Sequence, residues 1–403
     1  MDPQQRVLLE CGYEALHCGE QRRASLGGSL TGVFLGIAAN EFGHILAASP
    51  SGSSVYAATG SSHSVASGRI SYVLGLHGAC VSYDTACSAA LSATHAGLRA
   101  LQSRECTIGL VAAVNLMLSP GVGTSFAIAG MTSAIGRSHT FDARADGYAR
   151  GEACASSALC GEDGGGAERG LGVDGSAVRQ DGRSASLTAP NGQAQQGLLA
   201  AALADAALAP AELALCEAHG TGTALGDPIE GGAIVAAVVR RRGPAVGALT
   251  TGGVKANIGH AEPAAGMTGL VKLTHAMLDA RAAPNAQLRA LNPHVAAVLR
   301  GVFGGALPTQ PSAVQQATAP RAAGGVSSFG YSGTIAHAVL RRAAAPESGD
   351  GAHTAVLPAS PSPSFRRRAF PWGAALHPFA QRRLASSAGV KLFRSPAAGA
   401  LHS

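Results

Sequence analysis

The chain alternates helical apolar stretches with short apolar runs that end in turns rich in glycine, serine and threonine. This order restricts the folds open to it, because strands that alternate with helices form buried, mostly parallel sheets. The segment at residues 325–340 predicts two short strands around a glycine turn. We therefore expect an α/β protein. Strands are expected at residues 32–37, 79–83 and 213–218, and helices at residues 2–18, 63–76, 88–101, 193–208, 228–242 and 261–280.

Composition limits the function classes. The 403 residues are 46% hydrophobic but only 4% aromatic, so the apolar content consists largely of small side chains that suit helices packed on sheets. No run approaches the roughly 18 apolar residues of a transmembrane helix. The polar start at residues 1–6 lacks the apolar core of a signal peptide. We expect a cytoplasmic protein with no membrane span.

Positive charge is concentrated in the last part of the chain. The net charge is +6, and residues 343–403 contain seven Lys and Arg side chains against two acidic ones. This segment is rich in proline and serine, which is typical of a linker or tail. Nucleic-acid binding usually needs a basic face on a folded domain. We expect a linker or tail at residues 343–403 and no nucleic-acid partner.

Cys87 is the cysteine whose surroundings suggest chemistry. The eight cysteines form no CxxC pair and no zinc spacing beside histidines, so most are expected to be buried and inert. Cys87 follows a predicted strand, and a helix is predicted to begin at or just after it. The positive end of a helix dipole favours a thiolate. Cys87 is thus a candidate nucleophile, although a structural cysteine buried at a strand–helix junction fits the same pattern.

Two histidines and a glycine-rich turn could complete a site. The turn at residues 219–223 begins with His219 and presents an imidazole, backbone N–H groups and two hydroxyls, but it equally fits a turn capped by its own threonines. His260 precedes a predicted helix. The turn within residues 325–334 can direct backbone N–H groups at an oxyanion. Each signal is weak alone, whereas a cysteine, two histidines and a donor turn together indicate an active site.

Four segments in this order resemble the β-ketoacyl synthase domain of modular polyketide and fatty-acid synthases. They are DTACS around Cys87, EAHGTGTALGDPIE around His219, KANIGHAEPAAG around His260, and GVSSFGYSGT at residues 325–334. These are long, specific matches, and the resemblance covers residues 1 to about 340. Shorter matches are MDPQQR at residues 1–6, FDARADGY at residues 141–148 and APNG at residues 189–192.

The resemblance implies a fold and a division of the chain. The fold would be thiolase-like, with five layers in the order α/β/α/β/α built from two similar halves. Residues 1–342 would form the synthase, with an N-terminal half to about residue 155 and a C-terminal half from about residue 172 to residue 342. A homodimer would form across the strand before Cys87.

The resemblance also implies a role for each matching catalytic residue. Cys87 would take an acyl group from the phosphopantetheine thiol of an acyl carrier protein. His219 and His260 would bind the malonyl thioester and donate hydrogen bonds to its carbonyl as it becomes an enolate. The resulting carbanion would attack the acyl thioester on Cys87, which is a decarboxylative Claisen condensation. The backbone N–H groups of Cys87 and Tyr331 would hold the tetrahedral oxyanion.

Supporting residues follow from the same motifs. Thr221 and Thr223 would hydrogen-bond the pantetheine arm, and Lys255 would pair with Glu230 to order the histidine loops. No metal and no cofactor of the domain itself are expected, because the substrates arrive on the carrier protein's phosphopantetheine arm.

The cysteine and histidine pattern separates this chain from neighbouring subfamilies. Thiolases need a second cysteine near the C-terminal motif, and no cysteine follows Cys216. Type III and initiating synthases use an asparagine where this chain has His260, and loading decarboxylases and chain-length factors replace the cysteine at position 87. Two alternatives stay open: a degenerate, non-catalytic member that binds a carrier or partner synthase, and a non-decarboxylating acyltransferase of the same fold.

The chain departs from the family pattern in three places. Ala89 and Ala90 stand where serines are usual. Ser332 and Ile335 replace a glycine and an asparagine, so we expect the last turn to lose an amide tie and, if position 332 needs a positive φ, backbone freedom. Family domains also carry roughly 100 residues before MDPQQR, and we expect a chain without them to lack the first strand and helix and to leave a sheet edge open.

Overall fold

A computed structural model of the protein describes residues 1–161, 171–243, 246–300, 304–314 and 322–342, and the backbone of residues 382–384 and 392–394. The linker expected at residues 343–403 thus lies outside the described residues except for two short antiparallel strands, numbered β13 and β14 below. Within the described ranges, none of the helices combines the length and apolar character that crossing a bilayer requires.

Helices and strands alternate as expected. The helices are α1 Pro3–Cys18, α2 Arg23–Leu26, α3 Glu41–Ala47, α4 Ala57–Ser61, α5 His63–Leu74, α6 Ala89–Gln102, α7 Pro120–Ile128, α8 Gly192–Asp205, α9 Gly226–Ala237, α10 Lys255–Ile258, α11 Ala265–Leu278 and α12 Pro293–Leu299. The strands are β1 Thr31–Gly36, β2 Cys80–Tyr83, β3 Ile108–Asn115, β4 Ala153–Cys160, β5 Leu171–Gln180, β6 Leu213–Glu217, β7 Leu249–Gly252, β8 Arg281–Ala282, β9 Gly305–Ala306, β10 Ser312–Ala313, β11 Ala323–Phe329, β12 Thr334–Arg342, β13 Arg382–Leu384 and β14 Leu392–Arg394.

The MDPQQR motif starts α1 for local reasons. The Asp2 side chain accepts a hydrogen bond from the Gln4 backbone N–H at 2.8 Å, which satisfies one of the free donors of the first turn. Pro3 occupies the first turn, where its missing N–H costs nothing. Leu8 and Leu16 are fully buried on one side of the helix, so α1 packs on the sheet through an apolar stripe.

Two sheets share one topology, which establishes the two similar halves. The first has the order β2-β1-β3-β4, and the second has the order β5-β12-β11-β6-β7-β9. In the first sheet β1 is parallel to β2 and β3, and β3 is antiparallel to β4. In the second, β6 is parallel to β7 and β11, and β11 is antiparallel to β12. The series β2-β1-β3-β4 therefore repeats as β7-β6-β11-β12.

The apolar clusters define five layers, so the fold is the thiolase-like α/β/α/β/α arrangement. Helices α1 and α5 bury one cluster against the first sheet. Helices α6 and α11 lie between the sheets and contribute to a central cluster with strands of both. Helices α8, α9 and α12 pack on the outer face of the second sheet. The expected fold class is confirmed.

The topology brings the candidate residues to one region. Cys87 follows β2, His219 follows β6, and His260 follows β7 and the short helix α10. The turn at residues 330–333 connects β11 to β12. Ligands of parallel sheets bind beyond the carboxyl ends of the strands, and each of these segments follows such an end.

Candidate active site

Cys87 lies on a sharp turn between strand β2 and helix α6. Ala86, the preceding residue, has a φ of 51°, in the left-handed region that L-residues avoid. The Asp84 carboxylate accepts a hydrogen bond from the Ala86 N–H at 3.1 Å and so supports this conformation. The Cys87 side chain is buried, with 8% exposure, and lines two cavities.

The structure brings the three predicted catalytic side chains together. His260 Nε2 lies 3.1 Å from the Cys87 sulfur, and the rings of His219 and His260 are 5.6 Å apart at an interplanar angle of 86°. The Tyr148 ring packs edge-on against His260 with a centroid distance of 4.8 Å. A reacting group bound at Cys87 would therefore meet both imidazoles.

Backbone donors assign the same tautomer to both histidines. The Phe329 N–H donates to His219 Nδ1 at 3.2 Å, and the Glu262 N–H donates to His260 Nδ1 at 3.2 Å. A neutral imidazole that accepts at Nδ1 carries its proton on Nε2. Burial, followed by the positive charge of Lys255, lowers the pKa of both rings. Each histidine is thus a neutral Nε2–H donor at physiological pH.

Lys255 and Glu230 hold the turn that carries His219. Lys255 Nζ donates to the His219 carbonyl at 2.5 Å. Glu230 accepts from the N–H groups of His219 at 2.7 Å and Gly220 at 2.8 Å. The sequence predicts that these two charges pair; both bind the same backbone turn, and the charge of Lys255 acts to lower the pKa of Glu230 while that of Glu230 acts to raise the pKa of Lys255. Burial lowers the pKa of Lys255 and raises that of Glu230 to about 7.

Burial decides the protonation state of Cys87. It raises the thiol pKa, the Glu262 charge raises it further, and Lys255 together with the N–H groups of Cys87 and Tyr331 lowers it, with a result of about 12. The expectation that the helix dipole yields a thiolate is therefore wrong. Helix α6 begins only at Ala89, and the desolvation cost exceeds a dipole effect that is worth about 1 kcal/mol.

Two backbone donors face the Cys87 sulfur. The hydrogen bonds that lower its pKa come from the N–H groups of Cys87 itself and of Tyr331. These are the two groups expected to form the oxyanion hole. The Ser328 hydroxyl donates to the Cys87 carbonyl at 2.6 Å and fixes the elbow against strand β11.

The turn at residues 330–333 is held by a hydrogen bond from a side-chain amide, which comes from another strand. Gln180, at the end of β5, donates through Nε2 to the Ser332 carbonyl at 3.2 Å. Gly333 has a φ of 88°, whereas Ser332 does not have a positive φ. Ile335 is fully buried. The expected loss of support at this turn is therefore wrong, because Gln180 supplies the amide and Gly333, not position 332, needs the left-handed conformation.

Two cavities meet at Cys87, and Tyr148 and Tyr331 line both of them. The smaller one, of about 260 Å³, also contains His219 and His260, and Thr221 and Thr223 on its wall. The two threonine hydroxyls are 3.3 Å apart. The larger one, of about 500 Å³, is lined by other residues, namely Ala38, Ala39, His44, Asp84, Ala86, Gly121, Val122, Ser125, Phe126, Glu262 and Pro263.

The other cysteines differ from the sequence expectation. Only Cys106 and Cys216 are buried besides Cys87, and three cysteines are exposed. The expectation that most cysteines would be buried is wrong, because several of them lie at the ends of helices or strands. The exposed ones are Cys18, Cys80 and Cys160.

Sequence reasoning missed Arg150, Glu41 and Gln180, and gave no role to Glu262. Arg150 pairs with Glu262 at 2.5 Å and with Glu41 at 3.2 Å beside His260. Glu262 lies two residues after His260 inside a motif that matches the family, which was an available signal. Arg150 and Glu41 are separated by 109 positions, and nothing in their local sequence indicates a contact.

A buried cysteine at an elbow with two histidine donors, in a five-layer thiolase-like fold, defines the class of condensing synthases. Comparison with known families agrees. Residues 1–163 match the family model for the β-ketoacyl synthase N-terminal domain, and residues 172–289 match that for its C-terminal domain. The chain therefore belongs to the β-ketoacyl synthase family.

Similar proteins are polyketide synthases. The chain is 43% identical over 364 residues to a phenolphthiocerol/phthiocerol polyketide synthase of Mycobacterium tuberculosis, covering 88% of this chain and 23% of that protein. It is 41% identical over 379 residues to the spectinabilin polyketide synthase system protein NorC of Streptomyces orinoci, covering 92% of this chain and 16% of that protein. The chain thus spans less than a quarter of these relatives' lengths.

Solved ketosynthases share the fold. The ketosynthase from module 6 of the bacillaene synthase of Bacillus subtilis 168 superposes with a TM-score of 0.76 at 32% identity, covering 85% of this chain and 60% of that one. An oxazolomycin ketosynthase domain from Streptomyces albus JA3453 gives a TM-score of 0.78 at 32% identity with the same coverage. The chain is a ketosynthase domain of the polyketide synthase type, a family of transferases.

Proposed function

We propose that this chain catalyses decarboxylative Claisen condensation between an acyl group on Cys87 and a malonyl unit on an acyl carrier protein. The observation that carries the proposal is the position of Cys87 beside two neutral Nε2–H donors, with the His260 Nε2 atom 3.1 Å from the sulfur. When a thioester becomes an enolate, negative charge develops on its oxygen. Two hydrogen-bond donors already in place beside that oxygen stabilise the charge as it develops.

In the first half-reaction the Cys87 sulfur attacks the carbonyl of the incoming acyl thioester. The N–H groups of Cys87 and Tyr331, which face the sulfur, stabilise the tetrahedral oxyanion. The bond to the carrier's sulfur then breaks, and the free pantetheine thiol leaves with the proton that the Cys87 thiol has lost. The acyl group remains on Cys87 as a thioester.

In the second half-reaction the malonyl thioester loses CO₂. The electron pair of the broken C–C bond moves into the thioester and forms an enolate, whose oxygen accepts hydrogen bonds from His219 and His260. The enolate carbon attacks the acyl carbonyl on Cys87, the C–S bond breaks, and the released Cys87 thiolate takes up a proton from solvent to return the thiol. Neutral imidazoles suit this step, since they donate hydrogen bonds without protonating the carbon.

The cavities suit a long carrier-borne substrate. We infer that the smaller cavity admits the phosphopantetheine arm, with Thr221 and Thr223 as its hydrogen-bonding partners, and that the larger cavity takes the acyl chain. The synthase unit would comprise residues 1–342, with halves divided near residues 155 and 172 and a linker after residue 342. No cofactor of the domain itself enters this scheme. The cytoplasmic location expected from the sequence stays a prediction.

We further propose a homodimer that pairs strand β2 with its copy. Strand β2 forms an edge of the first sheet, and Cys80 and Val81 on it are exposed. An exposed strand edge offers unpaired backbone groups to another strand. Pairing there would place the two Cys87 elbows near the interface, because the elbow follows β2 directly.

The test uses the 403-residue chain, an acyl-N-acetylcysteamine thioester and a malonyl-loaded acyl carrier protein. We expect an acyl adduct on Cys87 by mass spectrometry, release of CO₂, and a β-ketoacyl product on the carrier. A chain that forms no adduct would support the degenerate, non-catalytic member. Transfer of the acyl group without CO₂ release would support the non-decarboxylating acyltransferase.

A further inference from the structure

Arg150 contacts two buried carboxylates beside the catalytic histidine. Its guanidinium binds Glu262 through two hydrogen bonds, Nε to Oε1 at 2.5 Å and Nη2 to Oε2 at 3.0 Å. Nη2 also lies 3.2 Å from Glu41 Oε1. The three side chains are 11%, 8% and 3% exposed, in the order Arg150, Glu262, Glu41. Two-point guanidinium–carboxylate contacts fix geometry as well as charge.

The backbone of Glu262 is strained, and its N–H donates a hydrogen bond to His260. Its φ is 47°, in the left-handed region, and its N–H donates to His260 Nδ1 at 3.2 Å. Strained backbone conformations persist only where the surroundings hold them. Arg150 binds the side chain of this same residue through two hydrogen bonds. The contact with the guanidinium and the strained peptide therefore belong to one residue.

We propose that Arg150 is a positioning residue for His260. By holding the Glu262 side chain, Arg150 keeps the strained peptide in place, so that its N–H occupies Nδ1 and the ring proton stays on Nε2, directed at Cys87. This inference rests on the proposed function for the step that it affects, malonyl decarboxylation. The tautomer of His260 can be measured whether or not that function holds.

The other carboxylate of the cluster serves a different part of the site. Glu41 Oε2 accepts the N–H groups of Leu118 and Ser119, both at 2.6 Å, and Ser119 caps helix α7. Helix α7 forms part of the wall of the larger cavity. Glu41 therefore anchors the cavity wall, whereas Glu262 holds the histidine, and the two carboxylates can be tested separately.

Replacing Arg150 should change the histidine more than it changes the fold. In Arg150→Met, Glu262 loses its partner, its backbone relaxes, and the Nδ1–H tautomer of His260 becomes populated. We expect malonyl decarboxylation to slow by about 10- to 100-fold, less than the roughly 10²–10³ for removal of a donor itself. Arg150→Lys keeps the charge but cannot bind the carboxylate at two points. We therefore expect the same shift in the His260 tautomer and the same slowing of decarboxylation, each smaller than in Arg150→Met.

The experiment measures the ring nitrogens of His260 by NMR in chain labelled with ¹⁵N-histidine. The His260 signals are those absent from His260→Asn. We expect a pure Nε2–H pattern in the parent and a mixture of tautomers in Arg150→Met. An unchanged His260 pattern in Arg150→Met would overturn the proposal. Should that variant fail to fold, an unchanged pattern in folded Arg150→Lys would overturn it equally.

Two matched variants separate positioning from general destabilisation. Glu41→Gln alters the other carboxylate of the cluster and should leave the His260 pattern unchanged. Arg341→Met removes an arginine that pairs with Asp174 and is 22% exposed, far along strand β12. It should lower the melting temperature without changing the His260 pattern or the decarboxylation rate. If Arg341→Met shifts the tautomer as much as Arg150→Met, the proposal is wrong.

Failure of the proposed function can be distinguished from failure of the Arg150 proposal. A parent chain that never releases CO₂ from malonyl thioester would remove the kinetic readout and contradict the condensation proposal. The tautomer comparison between the parent and Arg150→Met would still decide whether Arg150 positions His260.

Discussion

His260 Nε2 lies 3.1 Å from the Cys87 sulfur, yet burial keeps the pKa of that thiol at about 12. The histidine is a donor in this pair, because its Nδ1 already accepts the Glu262 N–H. The site therefore holds a neutral thiol next to a neutral imidazole. Reactivity has to come from substrate binding, which supplies the carbonyl that the surrounding N–H groups polarise.

Cys87→Ala should abolish acyl loading and leave malonyl decarboxylation measurable, because the enolate needs only the two histidine donors. Intact-mass spectrometry after incubation with an acyl thioester measures the loading. Cys216→Ala is the matched control, since Cys216 is also a buried cysteine but lies outside both cavities. An acyl adduct that persists in Cys87→Ala would show that another residue is the nucleophile.

Alkylation of Cys87 should be slow and strongly pH-dependent. With a thiol pKa of about 12, the thiolate fraction grows roughly tenfold per pH unit across the range in which the protein is folded. Iodoacetamide should therefore label Cys18 and Cys160, which are exposed and lie away from strand β2, before Cys87 at pH 7.5. Peptide mass spectrometry over time gives the order. Faster labelling of Cys87 than of the exposed thiols would contradict the neutral-thiol state.

His219→Ala and His260→Ala should each slow decarboxylation by about 10²–10³, the usual effect of losing one preformed donor. Acylation of Cys87 should remain measurable in both. Of the two histidines, His260 is the one that contacts the sulfur, so His260→Ala but not His219→Ala should also change the rate at which Cys87 is alkylated. CO₂ release at the parent rate in both variants would exclude the two-donor site.

Much of the fold and the clustering of the candidate catalytic residues could be predicted from the sequence, because each of these residues lies in a local motif. The helix predicted at residues 63–76 is observed as His63–Leu74, and the strand predicted at residues 213–218 as Leu213–Glu217. Strands β3, β4 and β5 were missed, and for β4 and β5 the composition gives a reason. They are rich in alanine, serine and glycine, which have little strand preference, and their pairing partners in the sheets decide their structure.

The unpredicted part of the site depends on contacts between distant segments. Gln180 and Ser332 meet because β5 pairs with β12, and Arg150, in the loop before β4, meets Glu41 at the start of helix α3. No local pattern encodes such contacts. The helix-dipole argument at Cys87 was wrong for a related reason, since the depth of burial is a property of the assembled layers.

Glu230 should make stability depend on pH. Burial raises its pKa in the folded protein from 4.5 to about 7, so the folded state binds this proton more tightly than the unfolded chain does. The stabilising contribution is full below about pH 4.5 and is lost as the pH rises through 7. Asp227, whose pKa is raised to about 6 by burial, contributes in the same direction.

Glu230→Gln should remove the Glu230 part of this dependence, because glutamine does not titrate. The free energy of unfolding of the variant relative to the parent should therefore increase between pH 5 and pH 8. Urea unfolding at several pH values measures it. Glu105→Gln provides the same carboxylate-to-amide change on the surface. A constant difference between Glu230→Gln and the parent over this range would show that Glu230 does not titrate there.

The dimer proposal predicts that a charge on β2 disrupts association. Val81 on this edge strand is 39% exposed, and Val271 on α11 is 42% exposed, so the two valines form a matched pair. In Val81→Asp, pairing of β2 with its copy would bring two carboxylates close together, and like charges on paired strands are destabilising. We expect the dissociation constant to rise at least about tenfold, or roughly 1.4 kcal/mol. Val271→Asp should leave it unchanged, because Val271 lies on helix α11 and not on the strand edge that would pair. Light scattering coupled to size-exclusion chromatography over a concentration series gives both constants. Equal behaviour of the two variants, or a parent that is monomeric at every concentration, would exclude β2 as the dimer interface.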